Sequence, residues 1–133
     1  KVALGHHLDD AMESFFMNFF YNGTMRTMPP KYMAENGLEV IRPLIFCRER
    51  QLRAFADTNE INVIGDEACP GLRFDVKMPH ARAATKEQLA KLEEDNPKIF
   101  VSMKAAFSNI QLPTFFNKDD LSKSQSIEED DTI

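Results

Sequence analysis

The chain is poor in cysteine, in excess positive charge and in long apolar runs, and each shortage removes a class of protein. Only Cys47 and Cys69 occur in 133 residues, far apart and with no Cys-x-x-Cys between them. That excludes a disulfide scaffold and points to a reducing compartment, the cytoplasm. Acidic residues outnumber basic ones 21 to 16, for a formal charge of −5, so the surface is not the uniformly basic coat of a nucleic-acid-covering protein. A local basic patch stays open, because the last 16 residues hold six acids against two lysines and the remainder carries only −1. No stretch approaches the ~18 apolar residues of a membrane span, no secretory leader pattern is present, and no segment repeats.

What is there is an ordinary hydrophobic share, 43%, arranged in alternating short strand and helix signals. "KVALG" reads as a buried strand, and Met12, Phe15, Phe16, Phe19 and Phe20 then mark one face of an amphipathic helix. Asn22-Gly23 stops that helix, since both residues tolerate the left-handed conformation. Residues 24–37 read as a loop or short extension stiffened by Pro29-Pro30. "LEVIRPL" is a second strand closed by Pro43, followed by a helix over Arg48 to Thr58 with Leu52, Phe55 and Ala56 on one side. "INVI" predicts a third short strand or extended piece, and residues 65–84 an ordered loop of some basic character. Thr85 with Gln88 fits a capping box opening a helix to Asp95, and Asn96-Pro97 fits the start of another carrying Ile99, Phe100, Met103, Phe107 and Ile110. Beyond Pro113 the chain turns polar, and residues 117–133 have the composition of a disordered acidic tail.

Strand–helix–strand–helix–strand order predicts parallel α/β packing, yet two or three short strands are few for a sheet buried on both faces. The expectation is therefore the C-terminal part of a larger α/β protein, its sheet completed by a further segment or another chain. Residues 1–64 would form the C-terminal half of the α/β domain, residues 65–112 a cysteine-bearing loop with C-terminal helices, and residues 113–133 the tail.

The chemistry concentrates in "GHHLDD", where a strand hands over to a helix. Ligands of open α/β sheets bind beyond the carboxyl ends of strands. Gly5 allows a tight turn or close approach. His6 or His7 suits a phosphate contact or a proton shuttle. Asp9 and Asp10 suit either Mg²⁺ or acid–base work. Against that stands a plainer use: Asp10 with Glu13 has the form of a helix N-terminal cap, where acids are favoured by the helix dipole.

"KVALGHHLDDAMESFFMNFFYNGTMRTMPPKYM", "VIRPLIFCRERQLRAFA" and "VIGDEACPG", in that order, resemble the C-terminal half of the PP-loop ATPase superfamily, and within it the tRNA 2-thiocytidine synthetase group. The Gly-His-x-x-Asp-Asp-x-x-Glu pattern falls on Gly5, His6, Asp9, Asp10 and Glu13, with "MPPK" and "IRPL" as further matching blocks. The resemblance implies a Rossmann-like parallel sheet with flanking helices, followed by C-terminal helices, and an enzyme that adenylates a tRNA base with ATP and Mg²⁺ before sulfur displaces AMP. It implies that Asp9, with Asp10, is catalytic and that Gly5, His6 and Arg42 line the nucleotide site. It implies that Cys69 is one ligand of a 4Fe-4S cluster. Arg73, Lys77 and Arg82 form a loose basic group suited to tRNA phosphates. The implied partners are tRNA, a sulfur-donor protein or sulfide, and a second copy in a homodimer.

The family's phosphate loop and Cys-x-x-Cys pair do not occur in these 133 residues, so this stretch alone is expected neither to hydrolyse ATP nor to hold a cluster. Two rivals remain: a lysidine-synthetase-like ligase that attaches an amine, and a non-catalytic dimerisation or binding module.

Overall fold

The computed structural model describes residues 1–64, 80–117 and 119. The architecture is mixed α/β, with a three-stranded sheet and four α-helices among the described residues. Strand β1, Val2–Ala3, pairs in parallel with β3, Glu39–Ile41, in the register Val2 to Val40 and Ala3 to Ile41. Between them run α1, Leu8–Tyr21, and a further strand, β2, Lys31–Met33, so α1 lies on the crossover that a parallel pair requires.

Strand β2 lies within residues 24–37, read as a loop or short extension, and the expected parallel pairing holds only between β1 and β3. Strand β2 pairs antiparallel with β3, Lys31 facing Ile41 and Met33 facing Glu39, to give the order β1-β3-β2. The hairpin closes on Asn36-Gly37. Gly37 takes φ +81, and the Leu38 N–H donates to Asn36 Oδ1. An Asn-Gly turn between two short runs is the local signal for such a hairpin. It is masked here because every residue of β2 is exposed and none shows apolar alternation.

Helix α1 starts earlier than the Asp10–Glu13 cap predicted. His7 is the N-cap, with extended backbone, and the box it forms is with Asp10: the His7 N–H donates to Asp10 Oδ2 at 3.0 Å, and Asp10 N–H reaches His7 Nδ1 at 3.4 Å. Asp10 thus holds the third helical position, not the cap. At the other end, Asn22 returns its N–H to Asn18 and Gly23 takes φ +60, the predicted stop. Helix α2, Glu49–Thr58, matches its prediction, but none of its residues is buried, and Phe55 lies on the surface.

Residues 61–64 form no strand, which leaves the extended-piece alternative of the expectation. Val63 and Ile64 are exposed, and an extended β-branched run becomes a strand only against a neighbour. Helix α3 runs His80–Asp95, five residues ahead of the predicted start. Thr85 is not a cap. It is fully buried inside the helix, and its hydroxyl donates to the Ala81 carbonyl. Ala81, Ala83 and Ala84 are strong helix formers and carry the helix through the position that looked like its beginning.

Helix α4, Ile99–Ala106, begins two residues after Asn96-Pro97. The Asn96 side chain accepts the Lys98 N–H. A short 3₁₀ turn, Leu112–Thr114, follows. The core joins Leu8 and Met12 of α1 to Leu89 of α3 and Phe100 of α4, with Phe16, Ile99, Met103 and Phe107 packed around them. The two stretches on either side of residue 65 therefore share one core. Of the phenylalanine stripe, Phe15 meets Phe107 at 5.2 Å, while Phe19 and Phe20 remain exposed.

Candidate functional site

Because β1 and β3 are parallel neighbours, their carboxyl ends lie side by side. Gly5 and His6 leave one, and Arg42 leaves the other. The structure joins them: Arg42 Nε donates to His6 Nδ1 at 3.3 Å. The guanidinium is fixed by two further contacts. Its Nη1 donates to the Pro29 carbonyl at 2.8 Å, and its plane lies 5.3 Å over the Tyr32 ring. The Arg42 N–H also donates to the Pro30 carbonyl. Three blocks separate in sequence, "GHHLDD", "MPPK" and "IRPL", thus meet at one point. At Gly5 a Cβ would meet nothing within 4 Å, so that side of the strand end is open.

Asp9 and Asp10, adjacent in sequence, go to different partners. Asp9 accepts Arg48 Nε at 3.2 Å on both oxygens, Arg48 Nη2 at 3.1 Å and the backbone N–H of Glu49 at 2.8 Å. It therefore caps the N-terminus of α2 from a helix 40 residues away. The same arginine grips Glu93 of α3 with both Nη atoms, at 2.6 and 2.9 Å, and stacks 3.5 Å over the Phe100 ring. Arg48 is only 12% exposed. One guanidinium so ties α1, α3 and α4 to the start of α2.

Asp10 accepts Arg82 Nη2 at 3.1 Å beside the His7 N–H, and Arg82 Nε reaches Glu13 at 3.1 Å.

The titration behaviour follows from this pairing. Burial would push Asp9 up, but the hydrogen bonds from Arg48 and Glu49 and the arginine's charge outweigh it, and the carboxyl lies below its ordinary value. Glu93 is held low by its hydrogen bond from Arg48. Arg48 is driven higher still, first by Glu93. Glu13 goes the other way: burial raises it, and Arg82 offsets that only in part.

Of the residues predicted for the site, Gly5, His6 and Arg42 come together at the strand ends. Asp9 and Asp10 are drawn into ion pairs at the start of α1, and Arg82 is neutralised by Asp10 and Glu13. Cys69, Arg73 and Lys77 lie outside the described residues. Cys47 is half-buried, and its carbonyl accepts the Leu8 N–H. The sequence reading missed Arg48, Glu93, Tyr32 and the Pro29 carbonyl. Arg48 and Glu93 join positions 45 residues apart and leave no local pattern; the "MPPK" block was the one hint for Pro29.

Whether these side chains suit the implied groups can be tested on their geometry. Each oxygen of Asp9 and Asp10 already faces an N–H donor, and among the described residues no three His, Cys, Asp or Glu side chains come together as metal ligands. As arranged, the two carboxylates do not fit Mg²⁺, and the described residues do not fit a cluster. The His6–Arg42 end brings a guanidinium and an imidazole together, groups whose chemistry suits phosphate oxygens. Among the described residues no helix is long and apolar enough to cross a membrane.

The PP-loop domain family matches residues 1–78 of the chain. The chain is similar to the tRNA-cytidine(32) 2-sulfurtransferase of Pseudomonas syringae, at 38% identity over 84% of this chain and 39% of that protein. The protein of the same name from Pseudomonas fluorescens is 41% identical over 73% of this chain and 34% of its own length. That from Nitrosomonas eutropha is 38% identical over 84% and 34%. The chain thus spans less than two fifths of the length of these relatives. No solved structure matches it.

Proposed function

Since this chain belongs to the PP-loop domain family, we propose that it supplies the strand-end wall of the nucleotide site in an ATP-dependent enzyme that inserts sulfur into a cytidine of tRNA. The observation carrying this reading is the meeting of His6, Arg42 and the Pro29 carbonyl at the carboxyl ends of two parallel strands. Such ends are where open α/β sheets receive ligands.

In this reading His6 and Arg42 face the phosphates of the nucleotide, and the bare Gly5 leaves room for them. ATP, when bound, supplies the adenylyl group that activates a base carbonyl toward sulfur. Asp9 stands beside the reacting group as a fixed negative charge. Arg48 and the Glu49 N–H keep it ionised, an environment at odds with proton donation. Cys69 takes the role of a cluster ligand, and Arg73 and Lys77 that of tRNA phosphate contacts. Arg82 is committed to Asp10 and Glu13. The reading includes tRNA as substrate, sulfide or a sulfur-donor protein as partner, a homodimer and a cytoplasmic location.

The test uses the natural full-length chain, purified without oxygen, with tRNA from cells lacking 2-thiocytidine. Thiolated nucleoside is measured by mass spectrometry, and nucleotide affinity by calorimetry. His6→Ala and Arg42→Ala are each expected to weaken ATP binding about tenfold or more, the value of a hydrogen bond to a charged group. A wild-type protein that binds no ATP, or variants that bind and thiolate as the wild type does, would overturn the proposal.

A further inference from the structure

We propose that Arg42 is a positioning residue for His6, fixing its imidazole in the Nε2–H tautomer, so that His6 meets its ligand as a hydrogen-bond donor to an anionic oxygen and not as a proton acceptor. The proposal rests on the nucleotide reading above and settles which of two chemistries His6 performs there.

A guanidinium has only donors. When Arg42 Nε–H points at His6 Nδ1 from 3.3 Å, that nitrogen must offer its lone pair. The ring proton then sits on Nε2, because the bond made by one imidazole nitrogen sets the state of the other. A proton arriving at Nδ1 would place two donors, one of them cationic, against each other. The guanidinium cannot swing aside at no cost. Its Nη1 is held by the Pro29 carbonyl and its face by Tyr32, while the backbone N–H of Arg42 is held by the Pro30 carbonyl. Two adjacent prolines with fixed φ make that carbonyl pair a stiff seat.

The neighbouring histidine is excluded from the role. His7 spends its backbone N–H on Asp10, and its Nδ1 faces the Asp10 N–H, so it serves as helix cap. The two histidines therefore divide the work, His7 holding α1 and His6, paired with Arg42 at the strand ends, keeping its proton on Nε2. A fixed N–H beside an arginine suits a phosphoryl oxygen of a nucleotide.

Two arms test this in the natural full-length chain. The first needs no ligand: ¹⁵N-detected histidine spectra report which ring nitrogen of His6 carries the proton. The Nε2–H form is expected in the wild type, and a mixture of tautomers in Arg42→Lys, which keeps the charge but loses the fork. A wild-type His6 protonated at Nδ1, or an Arg42→Lys spectrum identical to the wild type, overturns the proposal whatever the protein binds.

The second arm compares His6→Gln, whose amide N–H can stand near the Nε2 position, with His6→Asn, which can mimic only Nδ1. Affinity for ATP is expected to survive in the glutamine variant and to fall about tenfold or more in the asparagine variant. Equal loss in both would overturn the donor role. A wild type that shows the Nε2–H tautomer but binds no nucleotide would refute the nucleotide reading and, with it, the assigned ligand, while leaving Arg42 as the group that sets the tautomer.

Discussion

Replacing Arg48 by Met isolates the charge at the centre of the helix assembly. Methionine keeps an unbranched stem over the Phe100 ring and removes both forks, the one on Asp9 and the one on Glu93. Deleting one member of a buried ion pair costs about 3–5 kcal/mol, because the partner charge is left uncompensated. Here two carboxylates are orphaned. Each is partly reached by solvent, Glu93 at 23% exposure, and Asp9 keeps its hydrogen bond from the Glu49 N–H. These relieve part of the penalty, giving about 2–3 kcal/mol. For a chain of this size that is roughly 8–12 °C in melting temperature.

The pH dependence gives an independent check on the cause. Asp9 and Glu93 titrate below their ordinary values of 3.8 and 4.5 in the folded chain. A lowered folded value means that the pair stabilises above the unfolded value, and that this contribution fades as pH falls through the folded one. Melting followed by circular dichroism should therefore show a wide gap between wild type and Arg48→Met at pH 7, narrowing steadily below pH 4.5. A gap equally wide at pH 7 and in strong acid would show that the loss comes from packing on Phe100 and not from the paired charges. No gap at all would remove Arg48 as the link between the helices.

Glu13, only 6% exposed, is raised by burial, so its sign is opposite: its contribution is full below 4.5 and is lost as pH rises through the folded value. Glu13→Gln is expected to melt at or above the wild type at pH 7 and to match it in acid; a variant clearly less stable at pH 7 would mean that the pair with Arg82 outweighs burial. Met12 is wholly buried in the core cluster. Met12→Ala should cost about 3 kcal/mol by cavity formation, read from the urea midpoint, and a much smaller loss would mean that the cluster collapses onto the gap.

The parts of this fold that could be read from sequence are those whose determinants are local. Helix α1 announces itself by its apolar spacing and ends at Asn22-Gly23, where two residues that tolerate left-handed backbone coincide. Strands β1 and β3 are short apolar runs, and the end of one is marked by Pro43, but β1, read as a buried strand, is exposed at both Val2 and Ala3. What escaped depends on distant partners. Strand β2 carries no apolar pattern of its own and exists because β3 offers it an edge. "INVI" has the right composition for a strand and no neighbour among the described residues. Thr85 and Gln88 satisfy a capping rule that also fits helix interiors once alanines precede them. The same division holds for the site. His6 and Arg42 could be named singly, but their contact spans 36 positions.

The paired aspartates show why a motif's residues need not act as a pair. Successive side chains on an α-helix diverge by about 100°, whereas positions three or four apart share a face. Asp9 and Asp10 sit at the second and third positions of α1, so one carboxylate turns toward α2 and the other back toward the cap. Arg48 and the Glu49 N–H take the first, and His7 and Arg82 the second. The residue that shares Asp10's face is Glu13, three positions on, and Arg82 bridges those two. The joint acidic unit at the start of this helix is therefore Asp10 with Glu13, neutralised from α3. Asp9 is a separate anion answering to Arg48, and a substitution at either aspartate should be read through its own arginine.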